Sequence, residues 1–562
     1  MFLLDAYAAR SCPVKTYNLF DPAVERPEPP DESLGEAFHG GREFRHSVLD
    51  EIAAHNEVTD LRPLRTEPLP VREAASAEAV RRGDAIIIGA LLPLDYAGHR
   101  SGRPDLLVRG ADTPAGTPGY HPVETKLQKV LERRDGHQVA ASQIGSVSVA
   151  EALWLPRAAF RASKEKTLLQ LAHYWRMLEA AGWAASGPPL AGVVGLDQPS
   201  PIGGRCVVWV DLSEKQLRTF SRTSQSGWKL RSALERYDHE HQFRVYVANQ
   251  ALSRTGAGDP PPPVVPIVIR ECEYCLWWER CRSQLDDESI SLRINKSPLD
   301  VREISALSAL GIATLTDLAG ADLDELLPRY LPEVRHREGA ESRVRLAARR
   351  ARLMIAGVAL ERTTTGPIEV PEAEVEIDFD IETSDEGRTY LWGLLVNDRV
   401  AGTSEYHAFA RFADLDRCGE TELLIEFARF LAPLLRDRDA LVYHYSDYER
   451  VFLNRLSKLT GDPDVAYVAE ASATHFVDLF TLVREHFFGA SGLGLKTVAH
   501  AGAGFSWRDD DPGGLNSQAW FNDAVHADDP AEREAARVRV LEYNEDDVRA
   551  TLALREWLRG LV

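Results

Sequence analysis

The chain has 562 residues, 44% of them hydrophobic, and a formal net charge of -21 from 65 Lys and Arg against 86 Asp and Glu. That length suits roughly three or four domains at about 150 residues each, and the acidic excess argues against a protein that coats nucleic acid nonspecifically, because such binding draws on Lys and Arg to displace counterions. A narrow basic path stays open, since screening confines charge effects to about 10 Å. The opening MFLLDAYAARSC has no basic leader, and no later run reaches the ~18 uninterrupted apolar residues of a membrane span. A cytoplasmic protein without a membrane partner is expected.

In chain order, Phe44, Val48, Leu49 and Ile52 recur at helical spacing within GGREFRHSVLDEIAAHNEV and predict an amphipathic helix. The apolar runs AIIIGALLPLDYAG and PDLLVRG, then YHPVETKLQK behind the turn-rich GADTPAGTPG, read as strands. LLQLAHYWRMLEAAG predicts a helix ending at Gly182, AGVVGL and RCVVWVDL two more strands, and a long helix follows. The fold class is α/β. GDPPPPVVP, residues 258 to 266, is a stiff connector to the cysteine cluster Cys272-x2-Cys275-x5-Cys281. Cys206 and Cys418 stand alone and read as plain buried residues. In a reducing compartment a short-spaced cluster points to metal or catalysis rather than disulfides.

From Pro298, SPLDVREISALSALGIATLTDLAGADLDELLP reads as helix, Gly-containing turn, helix, and ESRVRLAARRARLMIAGVALER as an Arg-rich helix that is either a solvated face or a nucleic-acid contact. Strands return with EVEIDFDIET and YLWGLLV, and LEYNEDDVRATLALREWL closes the chain as a helix. Boundaries are placed near 290 and 370, giving domains 1–290, 291–370 and 371–562. GASGLGLKT is not a phosphate loop, because Leu495 intervenes between Gly494 and Lys496. No ATP site is expected, so any motor is a separate helicase chain.

Two constellations carry chemistry. Asp105 opens the strand PDLLV, and Glu124 and Lys126, two apart, share a strand face. Two carboxylates can hold a divalent ion and a lysine can offset charge in the transition state, although Glu-x-Lys alone is an ordinary surface pair. Asp380 and Glu382 repeat the strand logic inside an apolar run, where an unpaired acid is costly. Tyr543 and Asp547 stand four apart on one helical face.

The first set resembles the PD-(D/E)xK nucleases of the RecB-like branch, with Asp105, Glu124 and Lys126 as its motif, His46 on the upstream helix and Gln170-x3-Tyr174 on the downstream one. That resemblance implies a restriction-endonuclease-like mixed sheet, His46 as a metal ligand with Asp105 and Glu124, and Gln170 and Tyr174 lining the site. The stretch 127 to 163 is longer than the family pattern. RecB-like nucleases of the CRISPR-associated and AddB type hold a [4Fe-4S] cluster with one cysteine before the core and three after it, which implies Cys12 beside Cys272, Cys275 and Cys281. Spacing alone leaves iron-sulfur and tetrahedral zinc open.

The second set resembles DnaQ-like, RNase H-fold 3'-5' exonucleases. Asp380, Glu382, a central acid and Asp547 would hold two Mg or Mn ions and Tyr543 would position water. Aligning YERVFL puts Glu449 where that family has Asp, with Asp447 two residues earlier in reserve; Asp478 reads as a helix-start acid. The middle segment is similar to a helix-hairpin-helix. Together these resemblances imply a two-centre nuclease on single-stranded or end-bearing DNA in repair. The alternatives are a scaffold for a helicase with silent centres, or an exonuclease acting on RNA.

Overall fold

The computed structural model describes residues 1–27, 33–256, 258–511 and 513–562. It separates into two compact units, Met1–Leu292 with Asp300–Gly311 and Leu323–Glu341, and Arg293–Leu299 with Ile312–Asp322 and Ser342–Val562. No helix among the described residues is long and apolar enough to cross a membrane.

In the first unit, α1 (Pro13–Phe20) and α2 (Ser33–His55) precede β1 (Val58–Asp60), α3 (Leu69–Arg82), β2 (Ile86–Ile88), β3 (Leu106–Arg109) and β4 (Tyr120–Thr125). Then come β5 (Leu131–Gln143), β6 (Leu153–Phe160), α4 (Glu165–Ala181), β7 (Leu190–Val194), β8 (Cys206–Asp211), the hairpin β9 (Leu217–Phe220) and β10 (Trp228–Arg231), and α5 (Ala233–Leu252). Strands β1 to β8 form one mixed sheet in the order β1-β2-β3-β4-β7-β8-β5-β6. β2, β3 and β4 run antiparallel, and β4 pairs parallel with β7 across the crossover helix α4. Phe44, Val48, Leu49 and Ile52 of α2 are buried against one face of the sheet, as their spacing predicts. Leu168, Leu171, Ala172 and Trp175 of α4 pack on the other. The long stretch 127–163 is mostly the antiparallel pair β5 and β6, an extension of the sheet edge rather than a loose loop.

The cysteine segment contains α6 (Trp278–Arg282), followed by α7 (Ile290–Arg293). Beyond it lie α8 (Val301–Ala309), α9 (Leu315–Gly320), α10 (Leu323–Tyr330) and α11 (Ala340–Ile355). Asp300 and Thr314 cap α8 and α9 through capping boxes, and Gly311 supplies the left-handed turn at φ +83° between them. The stretch 291–370 is not a compact unit of its own, because its helices are divided between the two units. In the Arg-rich α11, Arg349 pairs with Glu361 at 2.6 Å and the buried Arg350 donates to the carbonyl of Ala490 at 2.7 Å. Those two cations are structural.

The second unit adds β11 (Leu360–Arg362), β12 (Val375–Thr383), β13 (Thr389–Asp398), β14 (Thr403–Ala410), α12 (Arg417–Asp437), β15 (Ala440–His444), α13 (Tyr448–Leu456) and α14 (Pro463–Ala471). It ends with β16 (Phe476–Asp478), α15 (Leu479–His486), β17 (Phe487–Gly489), α16 (Leu495–Ala501), α17 (Gly514–His526) and α18 (Pro530–Arg559). Its main sheet runs β14-β13-β12-β15-β16, with β12, β13 and β14 antiparallel and β15 and β16 parallel to β12. The alternation in VEIDFDIET explains the central strand. Ile377, Phe379 and Ile381 enter the core with Leu423, Phe427 and Leu431 of α12, and Glu376, Asp378, Asp380 and Glu382 occupy the opposite face. There Arg555 of α18, 1% exposed, donates to Asp378 at 2.9 and 3.1 Å and pairs with Glu376, and Arg559 donates to Glu376 at 2.7 Å.

Arg555→Met keeps bulk but strands the buried Asp378. Loss of one partner of a buried pair costs about 3–5 kcal/mol, so the urea midpoint followed by fluorescence should fall sharply. An unchanged midpoint would contradict this role.

Candidate active centres

In the first unit Asp105 sits at the mouth of β3. Thr125, the last residue of β4, clamps its Oδ2 with the backbone N–H at 2.8 Å and the hydroxyl at 2.7 Å. Glu124 is buried beside it. Its Oε2 accepts from Lys126 Nζ at 2.8 Å, and the same ammonium donates to Gln170 Oε1 at 3.0 Å. Gln170 in turn donates to the Tyr174 hydroxyl at 3.1 Å, one turn along α4, and accepts from Arg10 at 2.7 Å. Burial and then Asp105 push the Glu124 carboxyl upward, opposed by Lys126 and Arg45. Burial holds the Tyr174 phenol protonated.

The α2 side chain facing Asp105 is Arg45, whose Nε lies 3.1 Å from Oδ1, not His46. Neighbouring helical residues point about 100° apart, so Arg45 rather than His46 makes the contact with Asp105. His46 is exposed and lines the cavity that Arg45 and Asp105 also line. His46, Asp105 and Glu124 do not close into a three-ligand group.

Cys12, just ahead of α1, and Cys272, Cys275 and Cys281 line one cavity with Val14, Pro266 and Trp278, but no three of their sulfurs lie within 4.8 Å of one another. Burial raises the Cys12, Cys272 and Cys281 thiols, the last to about 11. Lys15 and Glu271 pair at 2.6 Å on the same lining. Four half-buried thiols on one cavity supply the donor type that a thiolate-held metal or cluster takes.

The second centre is the acidic end of the β12 face. Asp380, Glu382 and Asp547 each offer a carboxylate oxygen within 4.8 Å of the others, the one such grouping among the described residues. Asn544 donates to Asp380 at 2.8 Å, Ser517 to Glu382 at 2.7 Å, and the Trp507 indole to Asp547 at 2.7 Å. Asn544 can lie against β13 because residue 393 is glycine; a Cβ there would collide with its side-chain oxygen. Burial, and after it mutual repulsion, pushes the Asp380 and Glu382 carboxyls upward, Glu382 to about 8. Burial also raises Asp547, opposed chiefly by Lys496.

Lys496 escapes the sequence reading because its glycine-rich surroundings invite comparison only with a phosphate-loop spacing. It lies in the first turn of α16 and donates to the Tyr543 hydroxyl at 2.7 Å. Tyr543 is held protonated by burial and the neighbouring carboxylates. Asn544 stands beside Tyr543 in the same motif and could have been found there, whereas Ser517 and Trp507 carry no local signal. Glu449 is buried 3.6 Å from His444 and adds its field at Asp380, but stays outside the three-acid group. Asp447 is largely exposed and faces Arg450 at 3.6 Å. Asp478 caps α15 by accepting the Phe480 N–H at 2.9 Å, as a helix-start acid should.

Residues 377–559 match the family model of the RNase H superfamily. No curated protein and no solved structure matches the chain. The C-terminal part is therefore RNase H-like and points to a metal-dependent nuclease, a class that uses Mg or Mn, with the three-acid group as its candidate ion site.

Without a cation, Glu382 holds its proton up to about pH 8 in the folded state and only to about 4.3 unfolded. The folded state therefore binds more protons in that window, and its stability falls as pH rises from about 4.3 to about 8. A divalent ion takes over the role of that proton. Mn should raise the melting temperature more at pH 8 than at pH 5, and Asp380→Asn should remove most of the difference; equal shifts at both pH values would refute the assignment.

Proposed function

We propose that the protein is a metal-dependent nuclease with two active centres, acting on single-stranded or end-bearing DNA in repair. The observation that carries this is the unbalanced charge at Asp380, Glu382 and Asp547, three clustered acids inside an RNase H-like domain. A divalent ion held there polarises the phosphate and lowers the pKa of water. Asn544, Ser517 and Trp507 fix the three carboxylates before any ion arrives, so little reorganisation remains. Lys496 donates to the Tyr543 oxygen and Tyr543 hydrogen-bonds Asp547, which fixes the phenol beside the acids, where the resemblance has it position the attacking water. Glu449, whose field reaches Asp380, is assigned to a second ion by the resemblance, as is removal of nucleotides from a 3' end.

The first centre is proposed as a RecB-like, PD-(D/E)xK site on a restriction-endonuclease-like sheet. Support comes from the adjoining ends of β3 and β4, which set Asp105 beside Glu124, and from Lys126, which links Glu124 to Gln170 and Tyr174. Asp105 and Glu124 would hold Mg or Mn, and the resemblance assigns His46, on the wall of the same cavity, as a further ligand. Lys126 offsets charge building on the phosphate.

Cys12, Cys272, Cys275 and Cys281 are proposed to hold a [4Fe-4S] cluster as a staple between the chain's start and the end of the nuclease unit. Such a link stabilises by limiting the unfolded chain. A separate helicase would feed such an enzyme. The turn between α8 and α9 would touch the DNA backbone.

End-labelled single-stranded DNA digested with Mn tests the two centres. Lys126→Ala and Asp380→Ala should each lose one part of the product pattern by at least about a hundredfold, and the double variant should be dead. Abolition of everything by Lys126→Ala alone would make the C-terminal domain a binding module. RNA competitors that outcompete DNA would reassign the substrate. Protein purified anaerobically should carry iron and sulfide at about four each per chain, both lost in Cys281→Ser; zinc without sulfide would overturn the cluster.

A further inference from the structure

The approach to the first centre holds a group of cations that its reading as a nuclease site does not use. One cavity is lined by Arg45, Arg62, Arg65, Arg72, Arg103 and Asp105, and a second cavity that reaches Glu124, Gln170 and Tyr174 shares Arg45, Arg72 and Arg103 with it. Arg62 is neutralised by Asp60 and Asp50, each at 2.7 Å, and Arg45 faces Asp105. The guanidiniums of Arg65, Arg72 and Arg103 form no ion pair among the described residues, and Asp105 acts on Arg103 only from beyond ion-pair distance. In a chain with net charge -21, unpaired like charges gathered around one cavity are a cost that a bound anion would remove.

We propose that this cavity binds the terminal phosphate monoester of the nucleic-acid strand whose next phosphodiester lies at Asp105 and Glu124. The charge count selects the group. A monoester carries about -1.5 to -2 at neutral pH and offers three acceptor oxygens, which matches three unpaired guanidiniums better than the single charge of an internal diester. Guanidinium forks suit phosphate oxygens geometrically. The shared lining places the anion within reach of the acids, so the pocket would select phosphorylated ends and set how far from the end cleavage falls. This inference rests on the first centre being a nuclease site.

The test uses the full chain carrying Asp380→Asn, so that only the first centre cuts, and single-stranded oligonucleotides with a 5'-phosphate, a 3'-phosphate or hydroxyls at both ends. One phosphorylated end should be cut with a KM at least about tenfold lower than the hydroxyl strand, the scale of one charge-assisted hydrogen bond. Arg72→Gln and Arg103→Gln should erase that preference and spare cleavage of the hydroxyl strand; thermal melts identify any variant that fails to fold, and Arg65→Gln is the replacement. Equal KM values for all three strands would overturn the proposal. So would uniform weakening of every strand by the Arg variants, which would mark an internal diester contact.

Fluorescence anisotropy without divalent ions, on the same strands, keeps the two readings apart. If nothing is cut yet the phosphorylated end still binds more tightly and Arg103→Gln abolishes this, the nuclease reading fails and the phosphate pocket stands. Cleavage without any end preference in either assay would leave the nuclease reading standing and remove the phosphate pocket.

Discussion

The packing of α18 against the acid-bearing face of β12 is the interaction on which the C-terminal domain depends. Four acids at alternate positions of one strand would repel one another and resist burial if nothing answered them. The helix answers unevenly. Near its C-terminal end Arg555 and Arg559 neutralise Asp378 and Glu376, while two to three turns earlier Asn544 and Asp547 meet Asp380 and Glu382. One contact thus contains both a rigid ion-paired anchor and an unbalanced acidic pole. The anchor holds strand and helix in register, and that register gives the acidic pole its geometry.

The N-terminal unit positions its acids differently. Asp105 and Glu124 lie at the ends of neighbouring antiparallel strands, so their approach is set by the β3 and β4 ladder and by the double hydrogen bond from Thr125. Here each acid already has a cation of its own, Arg45 or Lys126. The surrounding polar chain through Gln170 to Tyr174 belongs to a single face of α4, since residues four apart stack along a helix.

Much of this is legible in the sequence because strand and helix periodicity carry it. VEIDFDIET declares a two-faced strand, and Gln170 with Tyr174 or Tyr543 with Asp547 declare one helical face. The convergence of Cys12 with the later three cysteines follows from resemblance rather than periodicity, since 260 residues separate Cys12 from Cys272. The choice between Arg45 and His46 depends on the rotation of α2 about its axis, which an amphipathic pattern fixes only to within a residue. Lys496, Ser517 and Trp507 join the second centre through tertiary packing from separate helices and loops, and no local spacing announces them. The division of 291–370 between two units is hidden because its short helices look alike whichever core they serve.

Under the proposed two-centre reading, the different charge balance at the two sites implies an order of loading. At the first, a divalent ion has to displace Arg45 from Asp105 and compete with Lys126 for Glu124, so part of its binding energy is spent on breaking existing pairs. At the second, an ion relieves repulsion among three acids and displaces only protons. Rising divalent concentration would therefore make the C-terminal centre competent before the N-terminal one, and the supply of free cation would become a selector of which chemistry the chain performs.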